Sequence, residues 1–193
     1  MKVNTRRAVF EFMSIVIAVV LAMTLTEWRQ DYLNKQLAEK SFANIVEEIQ
    51  ENLGDLRSDS VQIAKDRSFM TEWVKTWVAK DSLPTFSASF SLSILSTAAY
   101  EVAQLNQSMT HLDNEQNMNI AEIYGLQTFY ASKASEIFDL MGELQAVAIK
   151  PESDEFFEVV QKLRYRLNLV FNTVRAYIRA SEDFLDQYPV ESE

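Results

Sequence analysis

The most regular pattern of apolar and polar positions lies near the C-terminal end of the chain. Ten positions there follow one another in alternating steps of four and three residues. They are Phe156, Val160, Leu163, Leu167, Val170, Val174, Tyr177, Ser181, Phe184 and Tyr188. Because one buried face of a coiled coil has this spacing, the pattern predicts a long helix. Pro151 favours a helix start, so we expect it at the first helical position.

A second long helix is predicted immediately before this one. Asp113 and Gln116 have the spacing of a capping box, and an apolar stripe continues from there to about Ala148. Its members are Met118, Ala121, Tyr130, Ala134, Ile137, Met141 and Leu144. The link around Lys150 is short, so we expect these two helices to be antiparallel neighbours.

The first half of the chain also has helical spacing, with one ambiguous stretch. Apolar residues recur about every 3.5 positions over residues 28–56, with no helix breaker before Gly54, and residues 58–81 have a second stripe. Residues 82–96 are rich in serine, and their alternation from Phe86 to Ile94 formally fits a strand. A lone strand would have no partner. We therefore expect a connection followed by a helix over about residues 91–109.

An apolar segment near the N-terminus, residues 8–26, contains Glu11 as its one charge. As a helix it would be about 28 Å long, close to the thickness of the bilayer core. Trp28 and Tyr32 follow where interfacial aromatic residues occur. The sequence thus predicts a tail over residues 1–7, a transmembrane helix over 8–27, a helical bundle over 28–188 and a flexible tail over 189–193.

The charges beside this segment predict its orientation. Lys2, Arg6 and Arg7 precede it, whereas Arg29 and Lys35 are interspersed with acidic residues after it. The positive-inside rule puts the N-terminus in the cytoplasm and the bundle on the other side of the membrane. Two alternatives stay open. Residues 20–22 fit a signal-peptide cleavage site, and the segment could also be the buried core helix of a soluble protein.

Composition narrows both the fold class and the chemistry. Only 3 glycines and 3 prolines occur in 193 residues, too few for the turns of a sandwich, barrel or doubly wound sheet, so we expect an all-α protein. Cysteine is absent and histidine occurs once, which excludes a disulfide framework and a multi-histidine metal site within one chain. The net charge of −10 argues against nucleic-acid binding.

No arrangement of residues in the sequence predicts catalysis. There is no glycine-rich phosphate loop, and His111, near Asp113 and Glu115, fits an exposed polar turn better than a metal site. Carboxylate pairs such as Glu47 and Glu51 lack the histidines of a di-metal bundle site. We therefore expect a non-enzymatic protein without a cofactor.

One face of the predicted membrane helix has small side chains. Ser14, Ala18, Ala22 and Thr26 recur every four residues, with Glu11 on or beside the same face. Such a face allows close approach of a second helix, although these residues are also common in membrane spans. Glu11 could pair with Arg7 four residues earlier, or could serve as a proton-linked or partner-binding carboxylate.

Two candidate interaction surfaces lie in the predicted bundle. The last helix has five basic residues and no acidic one between Glu158 and Glu182, namely Lys162, Arg164, Arg166, Arg175 and Arg179. They could bind an anionic partner or pair with acids of residues 39–55 or 136–143. Trp73 and Trp77, beside Phe69, could pack on the bundle, form a partner groove or contact the membrane interface.

Residues 11–29, a glutamate followed by an Ile/Val/Leu-rich span and Trp28, resemble the anchor of a family of uncharacterised bacterial single-pass membrane proteins. Residues 97–100 through 112–114 are similar to a second segment of that family. The chain has Thr26 and Glu27 before Trp28, where asparagine is common, and Asn106 and Gln107 where Ser-Gly is common. The resemblance covers about a third of the chain. It implies a bacterial inner-membrane location and a helical exported domain, and no activity.

These observations together favour a membrane-anchored interaction or scaffold protein, a subunit of a larger assembly that contacts lipid and a protein partner or a second copy. The alternative is a ligand-sensing bundle that acts through a partner. A pocket between the last two helices lined by inward arginines would favour sensing, and a filled bundle would favour scaffolding.

Overall fold

The computed structural model describes residues 5–80, 85–87, 90–148 and 150–189, with side chains from Val9 onward. Within these ranges the protein is an all-α bundle. Its helices are α1 (Thr5–Ala79), α2 (Ala98–Leu105), α3 (Asn114–Val147) and α4 (Asp154–Gln187), with a short 3-10 helix (Ser108–His111) between α2 and α3. The predicted C-terminal tail lies almost entirely outside the described residues, and part of the predicted N-terminal tail is already helical.

Helix α1 runs without a break for 75 residues. At a rise of about 1.5 Å per residue it is roughly 110 Å long. The two stripes separated at Gly54 belong to this one helix, so a break there does not occur. Gly54 is exposed, and one glycine inside a helix costs only about 1 kcal/mol. Leu53 and Leu56 on either side of it are buried, and their packing keeps the helix continuous.

Helices α3 and α4 are antiparallel, as the short link predicts. Glu136 and Glu143 of α3 pair with Arg166 and Lys162 of α4 at successive levels along the two helices. The capping box at the start of α3 is also confirmed, because Asp113 accepts a bond from the Gln116 N–H and Gln116 returns one to the Asp113 N–H.

The start predicted for α4 is wrong by three residues. Pro151 lies in the turn before the helix, whose first residue is Asp154. Ser153 caps this helix, since its Oγ accepts a hydrogen bond of 3.2 Å from the Phe156 N–H. A serine cap satisfies an otherwise unpaired N–H, which a proline start would not do.

The apolar stripe that the sequence predicts on α4 forms the centre of the bundle core. Nine of the ten positions of this stripe are buried and Tyr188 is half-buried. Prediction was poorer for α3, in which Tyr130, Ala134 and Ile137 are buried but Met118 and Ala121 are exposed. The first half of α3 instead buries Ile120, Ile123, Tyr124 and Gln127. Two of these four are polar, so apolar spacing alone could not identify this face.

An extended strap, residues 90–97, replaces the first part of the helix expected over residues 91–109. Only Ala98–Leu105 is α-helical in that range. The strap runs antiparallel to α1, with Ser93 beside Asp59 and Ala99, just beyond its end, beside Glu48. It needs no partner strand because side chains of α1 and α3 bind its backbone, as described below.

Candidate interaction surfaces

The apolar part of α1 lies entirely outside the bundle. Every side chain of residues 9–26 is exposed, and the first buried residue of α1 is Ala38. By length and composition α1 can cross a membrane, and none of its most apolar window is buried in the protein. The alternative of a buried core helix is therefore wrong.

A stalk, residues 27–37, joins the apolar segment to the bundle. It is helical and about 16 Å long, and its side chains are exposed apart from the half-buried Asn34. At its start the rings of Trp28 and Tyr32 stack with their centroids 6.5 Å apart. The stalk thus separates the exposed apolar segment of α1 from the part of α1 that is packed in the bundle.

The small-residue face of the apolar segment is exposed along its whole length. The hydroxyl of Ser14 donates to the Glu11 carbonyl at 3.0 Å, and that of Thr26 to the Ala22 carbonyl at 2.8 Å. Because these hydroxyls bond to their own helix, the face that also contains Ala18 offers mainly van der Waals contact. The Arg7 side chain lies outside the described part of the chain, so its expected pairing with Glu11 stays a prediction.

Glu48, a buried carboxylate of α1, holds the end of the strap. One oxygen accepts bonds from the Ser96 hydroxyl at 2.6 Å and the Ala99 N–H at 2.9 Å. The other accepts a bond of 2.5 Å from the Tyr124 hydroxyl of α3. Burial, together with this bond to a carboxylate, raises the pKa of Tyr124 far above its ordinary value. Glu48 therefore connects three segments of the chain, and both of its oxygens accept hydrogen bonds from neutral donors.

Asn52, one turn further along α1, pairs with the strap backbone as a neighbouring strand would. Its amide donates to the Ser96 carbonyl and accepts from the Ser96 N–H, both at 2.9 Å. Gln127 of α3 donates to the same carbonyl at 2.7 Å. Side-chain amides thus satisfy backbone groups that would be costly to bury unpaired.

A third contact repeats this arrangement nearer the far end of the bundle, away from the apolar segment. Asp59 of α1 accepts a bond of 2.6 Å from the Ser93 N–H, and Tyr130 of α3 donates one of 3.1 Å to the Ser93 carbonyl. Burial is also the main cause that raises the pKa of Tyr130. All three contacts depend on polar residues of α1 and α3 at core positions. The serine-rich sequence of the strap does not by itself predict these contacts.

The predicted tryptophan surface is mostly core. Trp73 is only 1% exposed, with its ring 5.4 Å from Phe86 and 5.6 Å from Phe156. The prediction that Trp73 forms part of an interaction surface is therefore wrong. Trp77 is half-buried and stacks on Phe157 at 5.1 Å. The packing alternative describes this cluster better than a partner groove does.

A pocket of about 630 Å³ opens beside this cluster at the far end of the bundle. Phe86 and Phe90 line one side, and Met141 and Leu144 of α3 line the other. Among the described residues, its only charged lining residue is Glu152 and no arginine lines it. The described lining is thus mostly apolar.

The basic residues of α4 lie on two different flanks. Lys162 and Arg166 face α3, where they contact Glu143 at 3.9 Å and Glu136 at 2.7 Å. The hydrogen bond from Lys133, and next the Arg166 charge, lower the pKa of Glu136. For these two cations the ion-pairing alternative with residues 136–143 is confirmed.

Helical spacing puts Arg164, Arg175 and Arg179 on the flank of α4 that also has Phe171 and Glu182, which contact Arg67 and Arg57 of α1. Within the described residues, neither Arg164 nor Arg175 has a carboxylate partner, and Arg179 contacts only Asp183 of its own helix, at 3.9 Å. Arg67 of α1 joins them, with its guanidinium 4.4 Å from the centre of the Phe171 ring. Sequence reasoning missed Arg67 because it lies almost a hundred residues away in the chain.

No metal centre is found among the described residues, where no group of three histidine, cysteine, aspartate or glutamate side chains comes together. His111 is exposed at the end of the 3-10 helix. Compared with known proteins, the chain matches no family model, no curated protein and no solved structure. The resemblance to bacterial single-pass proteins therefore stays a prediction.

Proposed function

We propose that this chain is a single-pass protein of a bacterial inner membrane. Residues 8–27 cross the bilayer, residues 1–7 lie in the cytoplasm, and the bundle of residues 28–188 lies outside it. In this proposal the protein is a non-enzymatic interaction or scaffold subunit of a membrane assembly, with a protein partner or a second copy.

One observation carries the proposal: the apolar segment is wholly exposed on the same unbroken helix that enters the bundle core. In water that much apolar surface would cause aggregation, whereas in lipid it lowers the free energy of the chain. The stacked Trp28 and Tyr32 at its end fit the headgroup region.

A role in interaction is favoured by what fills the bundle. Side chains of α4 from Phe156 to Phe184 are buried against α1 and α3, and the depression between α3 and α4 is shallow, with its cations paired to Glu136 and Glu143. Among the described residues, the one arginine that lines this depression, Arg166, is paired with Glu136, which is unlike the inward arginine pocket expected of a sensor.

Reporter fusions test the location. A fusion after Glu193 to an enzyme that is active only outside the cytoplasm should be active, and a cytoplasmic reporter at the same site should be silent. The variant with Lys2, Arg6 and Arg7 changed to Gln should lose this bias. A C-terminus found only in the cytoplasm, or a mature chain that begins after Ala22, would overturn the anchoring proposal.

Crosslinking in intact membranes tests the interaction role. A photo-reactive residue at Ala18, on the small-residue face, should give a discrete crosslinked species. The same residue at Val20, on the opposite face, should give mainly lipid adducts. Recovery of only free monomer from both positions, under every mild extraction, would remove the main support for a scaffold.

The far-end pocket favours a second candidate function, the sensing of a small apolar ligand. Its volume is within the usual range for ligand sites, and its lining is mostly aromatic and aliphatic. Titration of the full chain with a neutral aromatic probe should quench the fluorescence of Trp73, which borders the pocket. Equal quenching in a Leu144→Trp variant, which narrows the pocket, would count against ligand binding there.

A further inference from the structure

We propose that the seam between α1 and α4 binds an acidic segment of a partner protein through an arginine row, namely Arg67, Arg164, Arg175 and Arg179. This inference rests on the proposed interaction function and assigns the chemistry of the partner.

Phe171 organises the middle of the row. Two guanidinium groups lie over its ring, with the Cζ of Arg67 4.4 Å and that of Arg175 5.9 Å from the ring centre. Stacking on a ring fixes the plane of a guanidinium group while its N–H groups stay available at the edge. These two arginines are thus positioned without a carboxylate, although carboxylates are the usual partners of arginine in proteins.

The row follows the long axis of the bundle. Arg164 and Arg179 are 15 residues apart on one helix, which is about 22 Å. A helix with carboxylates at every fourth or seventh position presents negative charges at intervals of about 6 or 10 Å, a spacing that suits this row.

Among the described residues, no carboxylate of α1 forms an ion pair with an arginine of the row. The hydroxyls of Ser60, Ser68 and Thr71 donate to carbonyls of α1 itself. Arg57 pairs with Glu182 of α4 at 2.6 Å where the seam approaches the stalk. That pair demonstrates that a carboxylate fits this seam. Beyond it, among the described residues, Arg164 and Arg175 have no carboxylate partner, and Arg179 has only the 3.9 Å contact with Asp183 of its own helix.

Charge makes the row distinctive. The chain has 28 acidic and 18 basic residues, yet α4 has no acid from Gln161 to Ser181. On the opposite flank, Lys162 and Arg166 are already paired with α3. The uncompensated positive charge of α4 is therefore concentrated on the side that faces α1.

Anionic lipid of the anchoring membrane is too far away to be the occupant. Arg57, at the near end of the seam, lies 31 residues beyond Thr26 on the same unbroken helix, about 46 Å away. The net charge of −10 repels every anion, but it repels a dense polyanion such as polyphosphate more strongly than a short acidic helix. The helix has fewer negative charges per unit length.

Binding of designed peptides tests the proposal. The full chain in phosphatidylcholine nanodiscs is titrated with a helical peptide whose exposed face has Glu at every fourth position. A second peptide has Gln at those positions. We expect the Glu peptide to bind at least about tenfold more tightly than the Gln peptide and to weaken at high salt.

Two triple variants with the same change in net charge provide the control. Changing Arg164, Arg175 and Arg179 to Gln should weaken binding of the Glu peptide by about tenfold or more. Changing the exposed Lys40, Lys80 and Lys150 to Gln should alter it by no more than about twofold. Phe171→Leu keeps every charge and should give a smaller loss. Circular dichroism and the melting temperature check the folding of each variant.

Three outcomes would overturn the inference: no preference for the Glu peptide, equal losses in the two triple variants, or tighter binding of polyphosphate than of the peptide. If crosslinks from Ala18 persist in those cases, the interaction function stands and only the acidic partner is wrong. If the peptide binds but no crosslink forms, the seam is correct and only association through the small-residue face of the apolar segment fails.

Discussion

Glu48 of α1 and Tyr124 of α3 are joined by a buried hydrogen bond of 2.5 Å, beside the strap that the same carboxylate holds. Tyr177 of α4 is buried as well, but its hydroxyl, near Ser181 and Asn52, forms no hydrogen bond of good geometry among the described residues. Burial raises the pKa of Tyr177 to about 12. Two buried tyrosines of one core thus differ in what their hydroxyl groups contribute.

We therefore expect different results from removing the two hydroxyls. Tyr124→Phe leaves a buried carboxylate with one donor fewer and should lower the free energy of unfolding by about 1–3 kcal/mol. Tyr177→Phe should lower it by less than about 0.5 kcal/mol, or raise it, because it removes an unpaired polar group. Urea denaturation followed by circular dichroism measures both. Similar losses in the two variants would contradict the role assigned to Glu48.

Asn52→Ala should loosen the strap locally. The substitution leaves the Ser96 N–H without its acceptor, and only Gln127 still donates to the Ser96 carbonyl. Hydrogen exchange at the Ser96 amide should become about tenfold faster or more, since one lost hydrogen bond is worth roughly 1 kcal/mol. Gln50→Ala, on the exposed face of α1, should leave that exchange rate unchanged. A uniform acceleration over the whole bundle would instead indicate global destabilisation.

Asp66→Asn should stabilise the protein at neutral pH. Asp66 is buried, and burial raises its pKa above the ordinary value of 3.8, despite the hydrogen bond from Gln62 and the Lys65 charge. A carboxyl whose pKa is higher in the folded state favours folding most when it is protonated. The native protein should therefore lose stability relative to the variant as the pH rises from 3.8 through the folded-state pKa.

Melting temperatures of the native chain and of Asp66→Asn, measured between pH 3 and pH 7, check this sign. The variant should melt higher at pH 7, and the difference should shrink toward zero at the acid end. Asp55→Asn, at an exposed position of α1, is the control and should show no such trend. A native chain that is more stable than Asp66→Asn at neutral pH would refute the prediction.

Gly54→Ala should raise the free energy of unfolding by about 0.5–1 kcal/mol, because Gly54 lies in an unbroken helix where alanine has the better propensity. A Cβ atom added at Gly54 meets nothing within 4 Å. Thermal unfolding measures the gain, and Gly125→Ala in α3, equally open, should behave alike. A loss at Gly54 alone would mean that α1 bends there in function.

Deletion of residues 2–33 should leave a soluble, folded bundle. The first buried residue of α1 is Ala38, so no core contact is removed. The shortened chain should remain in solution without detergent and unfold cooperatively, with the helical spectrum of residues 34–189. Its aggregation would show that the apolar segment or the stalk contributes to folding.

How much of this molecule the sequence predicts depends on which groups hold each part together. The core face of α4 is predicted at nearly every position, because it is held by apolar packing with helical spacing. The strap is not, because its stability depends on Glu48, Asn52 and Asp59, polar residues that look like an exposed face of α1. Their partners lie 34 or more residues further along the chain.

The candidate site divides in the same way. The basic stretch of α4 is visible in sequence because acids are missing from it. Its separation into a paired flank and an unpaired one is not visible, since that depends on which helix lies beside each flank. Arg67 is assigned to the row only through its contact with Phe171. Trp73 was misassigned because an aromatic pair at helical spacing occurs on surfaces and in cores alike.

The unbroken course of α1 has a mechanical consequence. With the apolar segment in a bilayer as proposed, one continuous helix would run from the membrane through the stalk into the folded bundle. A tilt that lipids or a neighbouring span impose on this segment would then be transmitted along the helix to the bundle. At Arg57, the near end of the seam and roughly 46 Å from Thr26, a lean of about 10° corresponds to a displacement of about 8 Å, more than one turn of helix.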